Sequence, residues 1–248
     1  MIIILSPAKT LDFSRRIASN SHSEAIFTQE ADKLAKMMAH YSVSDLLQVM
    51  KMSESLAQLT YERFHHWDSA EVEQKQAGAA FKGEAYNGLD LISLDEQALD
   101  FAQAHLRILS GLYGVLRPYD LIKPYRLEMG SKLKQDSLYH FWQEKVTSAI
   151  NQDLEAQGGP LINLASQEYF KVLKNQALKS EVITPVFKEN KGGKLKTIVV
   201  YAKKARGMMA RYIIENALSE AEDIKNFAID GYRFNVEGSD SSTYLFTR

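Results

Sequence analysis

Apolar positions recur along this chain in two rhythms. Met1-Ile2-Ile3-Ile4-Leu5 and Leu161-Ile162-Asn163-Leu164-Ala165 are short, nearly continuous apolar runs, the signature of strands covered on both faces. Residues 181–187, 195–201, 224–236 and 243–246 are rich in β-branched and aromatic side chains and predict further strands, the first two joined through Gly192-Gly193. Three- and four-residue spacing predicts helices over 24–39, 95–109 and 137–156, with Ser42 and Ser53 as N-caps of two more, and a helix opening near Lys203. Strands interleaved with helices predict α/β architecture of mixed α+β character: one compact domain over residues 1–248, with a mixed sheet and flanking helices.

Residues 106–130 break both rhythms. They hold three glycines, two prolines, three arginines and three tyrosines. Leu109-Ser110-Gly111-Leu112-Tyr113-Gly114 is similar to the turn of helix-hairpin-helix DNA-binding elements, so such an element is expected over about 95–125. The amides of Gly111, Leu112, Tyr113 and Gly114 would then be open to a phosphate. Pro118 and Pro124 shorten the second helix of that unit.

Composition narrows the possibilities. The 248 residues carry 45% hydrophobic side chains and a formal charge of -1, so an anion-binding surface requires segregated cations. Segregation is visible: residues 171–211 contain eleven Lys or Arg against two Glu, and residues 215–240 contain seven acids against two bases. No cysteine occurs, which removes disulfides and thiolate chemistry. The apolar opening is too short for a membrane span and lacks a basic flank, so a cytoplasmic protein is expected. Glu62 and His65 form a lone Glu-x-x-His step without the second copy that di-iron bundles use, so neither a metal nor another cofactor is expected.

Candidate anion-binding cations are Lys9 after the first strand, Lys82 in an acidic neighbourhood, Arg117 and Arg126 in the central stretch, and Lys203, Lys204, Arg206 and Arg211. Cations in a helix's first turn oppose its dipole, which suggests an anionic partner for the last group. Tyr86, Tyr113 and Tyr125 are candidates for stacking on unpaired bases.

Five separated segments carry a resemblance across essentially the whole chain: Ser6-Pro7-Ala8-Lys9-Thr10; Phe81-Lys82-Gly83 with Tyr86 and Gly88-Leu89; residues 109–129; Asn163-Leu164-Ala165-Ser166 with Glu168-Tyr169-Phe170; and Tyr201-Ala202-Lys203-Lys204-Ala205-Arg206-Gly207. In order and spacing they resemble the YaaA family of bacterial peroxide-stress-resistance proteins. The resemblance implies a basic cleft that binds double-stranded DNA, including distorted or damaged DNA. It also implies a cellular role in limiting peroxide damage and unincorporated iron. The expected function is DNA binding in the hydrogen peroxide response, by a chain expected to be a monomer. The alternative is an enzyme acting on a nucleotide or DNA base, releasing the base as a glycosylase does, with Glu128, Asp120 or Glu168 as acid–base candidates. No motif establishes catalysis.

Overall fold

A computed structural model describes residues 1–134 and 137–248. Ile2–Leu5 forms a strand (β1) in which all four side chains are buried, as a strand covered on both faces requires. It is an interior strand of an eight-stranded sheet. The other strands are β2 (Leu106–Ser110), β3 (Gly114–Leu116), β4 (Leu161–Leu164), β5 (Val182–Lys191), β6 (Lys194–Lys196), β7 (Arg233–Phe234) and β8 (Thr243–Thr247). The order is β7-β8-β5-β4-β1-β2-β3, with β6 paired to β5. β8, β5, β4, β1 and β2 run parallel, while β3, β6 and β7 are antiparallel to their neighbours.

β1 has β2 on one side (Ile3 beside Leu106) and β4 on the other (Ile3 beside Ile162). The chain therefore winds first to one side of β1 and later to the other. Such a reversal leaves a crevice outside the carboxyl ends of the strands.

Helices cover the sheet. Thr28–Met38, Val43–Val49 and Glu54–His65 form one layer, with Ser42 and Asp45 making a reciprocal capping box and Ser53 capping the third helix. Leu138–Gln157 buries Trp142 completely, and the long helix Val199–Glu215 packs on β1, β4 and β5. Among the described residues, no helix is long and apolar enough to cross a membrane.

Three segments differ from the sequence expectation. The helix predicted to reach Leu109 is Glu96–His105, and Leu106 begins β2. Leu99, Ala102, Leu106 and Leu109 satisfy helical spacing, yet every residue of β2 is buried, including Arg107, whose guanidinium makes a two-pronged pair with Asp153 at 2.6 and 2.7 Å. With β3 it forms a β-hairpin, and the chain beyond Pro118 enters a two-residue strand, Leu121–Ile122, rather than a helix. A helix followed by a β-hairpin thus stands where the helix-hairpin-helix-like element was expected. Near the C-terminus, β6 ends at Lys196 and Val199, Val200 and Tyr201 are already helical. Residues 224–236 hold the end of a 3-10 helix (Ala221–Asn226) and the two-residue β7 instead of one long strand.

Candidate functional site

The crevice at the switch point is occupied by polar side chains. Ser6 leaves β1 and Ser166 leaves β4, and their backbones and hydroxyls tie together: Ser166 N donates to Ser6 Oγ at 2.8 Å, and the two hydroxyl oxygens lie 3.2 Å apart. The chain after Ser6 then pairs Thr10 with Lys82 and Leu11 with Phe81, which carries the second motif to the same edge. Tyr86, on the short helix Glu84–Leu89, donates its phenol to Ser6 O at 3.0 Å.

That short helix crosses the helix Val199–Glu215 at unusually close range. A Cβ on Gly207 would lie 1.8 Å from Ala85 O, and one on Gly88 would lie 2.2 Å from Lys204 O. Two backbones can approach this closely only where both lack side chains. The crossing holds Lys203 and Arg206, one turn apart, on the wall of a cleft of about 630 Å³, a volume suited to a small organic ligand. Ser6, Lys9, Lys82, Tyr86, Glu128, Ser166, Glu168, Tyr169, Lys203 and Arg206 all line it. All five sequence motifs therefore contribute a residue to one concavity.

Its charges are unevenly satisfied. Glu128 bridges Lys9 Nζ at 2.6 Å and Arg126 Nη2 at 2.9 Å. Arg126 is nearly buried and its Nε has no hydrogen-bond partner among the described residues. Lys82 pairs with Asp12 at 3.0 Å, and the Ser14 hydroxyl together with Lys82 holds the Asp12 carboxyl down at about 2. Arg206 and Lys203 differ: among the described residues, no carboxylate forms an ion pair with either. Burial alone pushes the Arg206 guanidinium below its usual value, the mark of a cation partly stripped of water and not compensated. Glu168 accepts one hydrogen bond, from Gly130 N to Oε1 at 3.0 Å, and its other oxygen has no protein partner among the described residues. Burial raises the phenols of Tyr86 and Tyr169 well above the ordinary tyrosine value, so both enter as neutral groups.

The remaining candidates lie elsewhere. Gly111, Leu112, Tyr113 and Gly114 are buried, and the amides of Leu112 and Tyr113 already donate to Ser110 Oγ at 3.2 and 3.0 Å, so this turn is packed into the core rather than opened to a phosphate. Its glycines serve packing. A Cβ on Gly111 would meet Leu127 O at 2.4 Å, and Gly114, at φ +70°, sits against the Trp142 ring. Tyr113 and Tyr125 are core residues, with Tyr125 Oη 2.7 Å from Ser110 Oγ, and neither offers a face to a base. Arg117 and Asp120 neutralise each other at 3.0 Å, with Asp120 fully buried and also holding the Ser23 hydroxyl, so neither reaches the cleft. Lys204 is exposed but is not part of the lining. Arg211 clasps the carbonyls of Leu89 and Asp90 and pairs with Glu215 at 2.8 Å, which ties the crossing helices together. Among the described residues, no group of three His, Asp or Glu side chains is arranged to hold a metal ion.

Sequence reading missed the glycine crossing and Asp12. An isolated glycine inside an otherwise helical stretch, as at Gly207, was the available signal for close backbone approach.

Comparison with known proteins shows the family of the chain. Residues 1–238 match the family model described as peroxide stress protein YaaA. A UPF0246 protein of Aliivibrio fischeri (strain MJ11) is 45% identical over 254 residues, covering 100% of this chain and 98% of its own length. A UPF0246 protein of Burkholderia vietnamiensis (strain G4) is 44% identical over 256 residues, and one of Janthinobacterium (strain Marseille) is 45% identical over 254, with the same coverage. With the match running through all five motifs that build the cleft, the chain belongs to the peroxide stress protein YaaA family.

Proposed function

We propose that this family member binds DNA through the switch-point cleft, with phosphates on Lys203, Arg206, Lys9 and Lys82 and an unpaired nucleotide of a distorted duplex entering the concavity. The observation that carries this reading is the pair Lys203 and Arg206: two cations on the wall of a concave site, without carboxylate partners, one of them desolvated. A partly dehydrated guanidinium gains most from a ligand that brings its own negative charge and bidentate oxygens. Contacts to phosphate position a duplex without reading its sequence, which suits a protein that attends to damaged or distorted sites. Occupancy of such sites is a means of limiting peroxide and iron-mediated damage.

Glu128 is clamped between two cations, and Asp120 lies outside the cleft, which leaves Glu168 alone among the acid–base candidates.

The test is a salt titration of binding to duplexes with and without a bulged nucleotide. Affinity falls as salt rises, with a slope of about -0.9 per neutralised phosphate, and the bulged duplex binds tighter. Arg206→Glu weakens binding tenfold or more and flattens the slope by about one or more. Salt-independent binding, or full affinity in Arg206→Glu, removes the proposal.

A further inference from the structure

β5 outruns the sheet it belongs to. Leu161 and Ile162 of β4 lie beside Val182 and Ile183, so the end of β4 at Leu164 falls level with Pro185, while β5 continues to Lys191. At ~3.3 Å per residue the tip stands about 20 Å past the sheet edge that forms the cleft floor. β8 accompanies β5 as far as Lys188, beside Thr247, after which β6 folds back along it. The turn is tight, with Gly192 and Gly193 at φ +61° and +78° and Asn190 Oδ1 accepting from Gly193 N. Every residue from Asn190 to Thr197 is exposed.

The arm's charge is only partly answered within the chain, by the distant pull of Lys191 on the Glu189 carboxyl. Lys191 and Lys194 stand directly opposite each other in the ladder, an arrangement of like charges that destabilises a hairpin. Lys196 lies opposite Glu189, but that carboxylate is buried and already taken by the Tyr232 hydroxyl and the Arg248 guanidinium. Among the described residues none of Lys191, Lys194 and Lys196 has an ion-pair partner. At Val199 the chain enters the helix that carries Lys203 and Arg206 to the cleft, with Val199, Val200 and Tyr201 exposed in its first turn. The arm is thus joined to the cleft wall directly along the chain, through an exposed apolar helical turn.

We infer that the β5–β6 arm is a second nucleic-acid contact, which lays Lys191, Lys194 and Lys196 along the duplex flanking the nucleotide held in the cleft. The inference rests on the proposed DNA reading. A polyanion is the occupant that relieves the opposed lysines, and a two-stranded ribbon has the width that the major groove of DNA accepts. An acidic protein surface would meet the same charge, and the outcome of the experiment separates the two.

The experiment compares the full chain with a Lys191→Gln/Lys194→Gln/Lys196→Gln variant on a long bulged duplex and on a mononucleotide, which the cleft alone would hold. The variant is expected to lose tenfold or more on the long duplex, with the salt slope smaller by about three, and to bind the mononucleotide as before. An unchanged duplex affinity and slope overturns the arm and leaves the cleft reading intact, and assigns the lysines to some other acidic partner. Equal losses on both ligands also overturn it, because the lysines then act through the cleft. Failure of the unaltered chain to bind either ligand overturns the cleft reading itself.

Discussion

The two edges of the parallel sheet are chemically opposite. Where β1 and β4 end, the surface carries Lys9, Lys82, Lys203 and Arg206, with the lysine arm beyond them. Where β4, β5 and β8 begin, a depression of about 490 Å³ is lined by Glu181, Glu220, Glu222 and Asp240. Two of the acids of that second edge are locally answered: Glu222 pairs with Lys225 at 2.6 Å and accepts from the Tyr244 hydroxyl, and Asp240 accepts from the amides of Ser242 and Thr243. Lys203 and Arg206 have no such answer. The formal charge of -1 is thus a sum over two separated fields, and the edge with the unpartnered cations is the one suited to an anion.

The largest effect comes from removing the scaffold of the cationic edge. Gly207→Ala drives a methyl group to within 1.8 Å of Ala85 O, a backbone atom that no side-chain rearrangement moves away. Overpacking of this kind costs about 3 kcal/mol, at the upper end of the usual range, and the melting temperature falls by roughly 10 °C. Duplex affinity of the folded fraction falls with it, because Lys203 and Arg206 ride on the same helix. Calorimetry and the salt titration read the two effects separately. A variant with native stability and affinity would break the link between crossing and cleft.

A smaller effect tests the independence of the edges. Glu220→Gln, Glu222→Gln and Asp240→Asn together remove three negative charges from the acidic depression. A strand of four residues spans about 13 Å, more than the ~8 Å screening length at physiological salt. Duplex affinity therefore changes by less than about twofold there, and rises more at low salt, where screening is weaker. A change as large as that expected from Arg206→Glu would show that the molecule responds to its total charge.

How much of this was legible beforehand depended on the kind of constraint. Met1-Ile2-Ile3-Ile4-Leu5 and Leu161-Ile162-Asn163-Leu164 announce two-sided burial, and Ser42 and Ser53 announce caps, because these are local rules that the fold obeys. Leu106–Ser110 was misread because its leucines also satisfy helical spacing, and because Arg107 argues against burial until Asp153 is brought to it from a distant helix. Val199, Val200 and Tyr201 favour strand by propensity but are helical and exposed, so propensity yielded to the register of the helix they begin. That Lys9, Lys82, Lys203 and Arg206 would line one concavity was legible through their motif company, and for Lys9 through its place after a buried strand. The Gly111–Gly114 turn was legible as special, but not why: its glycines admit Leu127 and Trp142, a tertiary fact absent from local sequence. Arg117 and Asp120, three residues apart, were assigned separate roles when their nearest partner was each other.

The finest distinction between the edges is their response to pH. Near the beginning of β2, on the acidic edge, the His105 ring stacks on Phe101 at 4.0 Å and its Nδ1 lies 2.8 Å from Met1 O. Burial lowers its pKa below the ordinary 6.5, the Met1 carbonyl opposes that shift, and the nearby Arg107 charge adds to it. The folded chain thus resists a proton that the unfolded chain accepts. Whatever stability the neutral ring secures is fully present above about 6.5 and is lost as pH falls through that value toward the lower folded pKa. His105→Gln is expected to flatten the decline in unfolding free energy between about pH 7 and 5, measured by urea denaturation. An arginine guanidinium stays charged throughout that window, so the hold of Arg206 on a phosphate, and with it duplex affinity per folded molecule, stays level over it in both proteins. A His105→Gln chain with the parent's acid slope would move the sensitivity to another group, and an affinity that tracked the His105 titration would join two edges that the sheet holds apart.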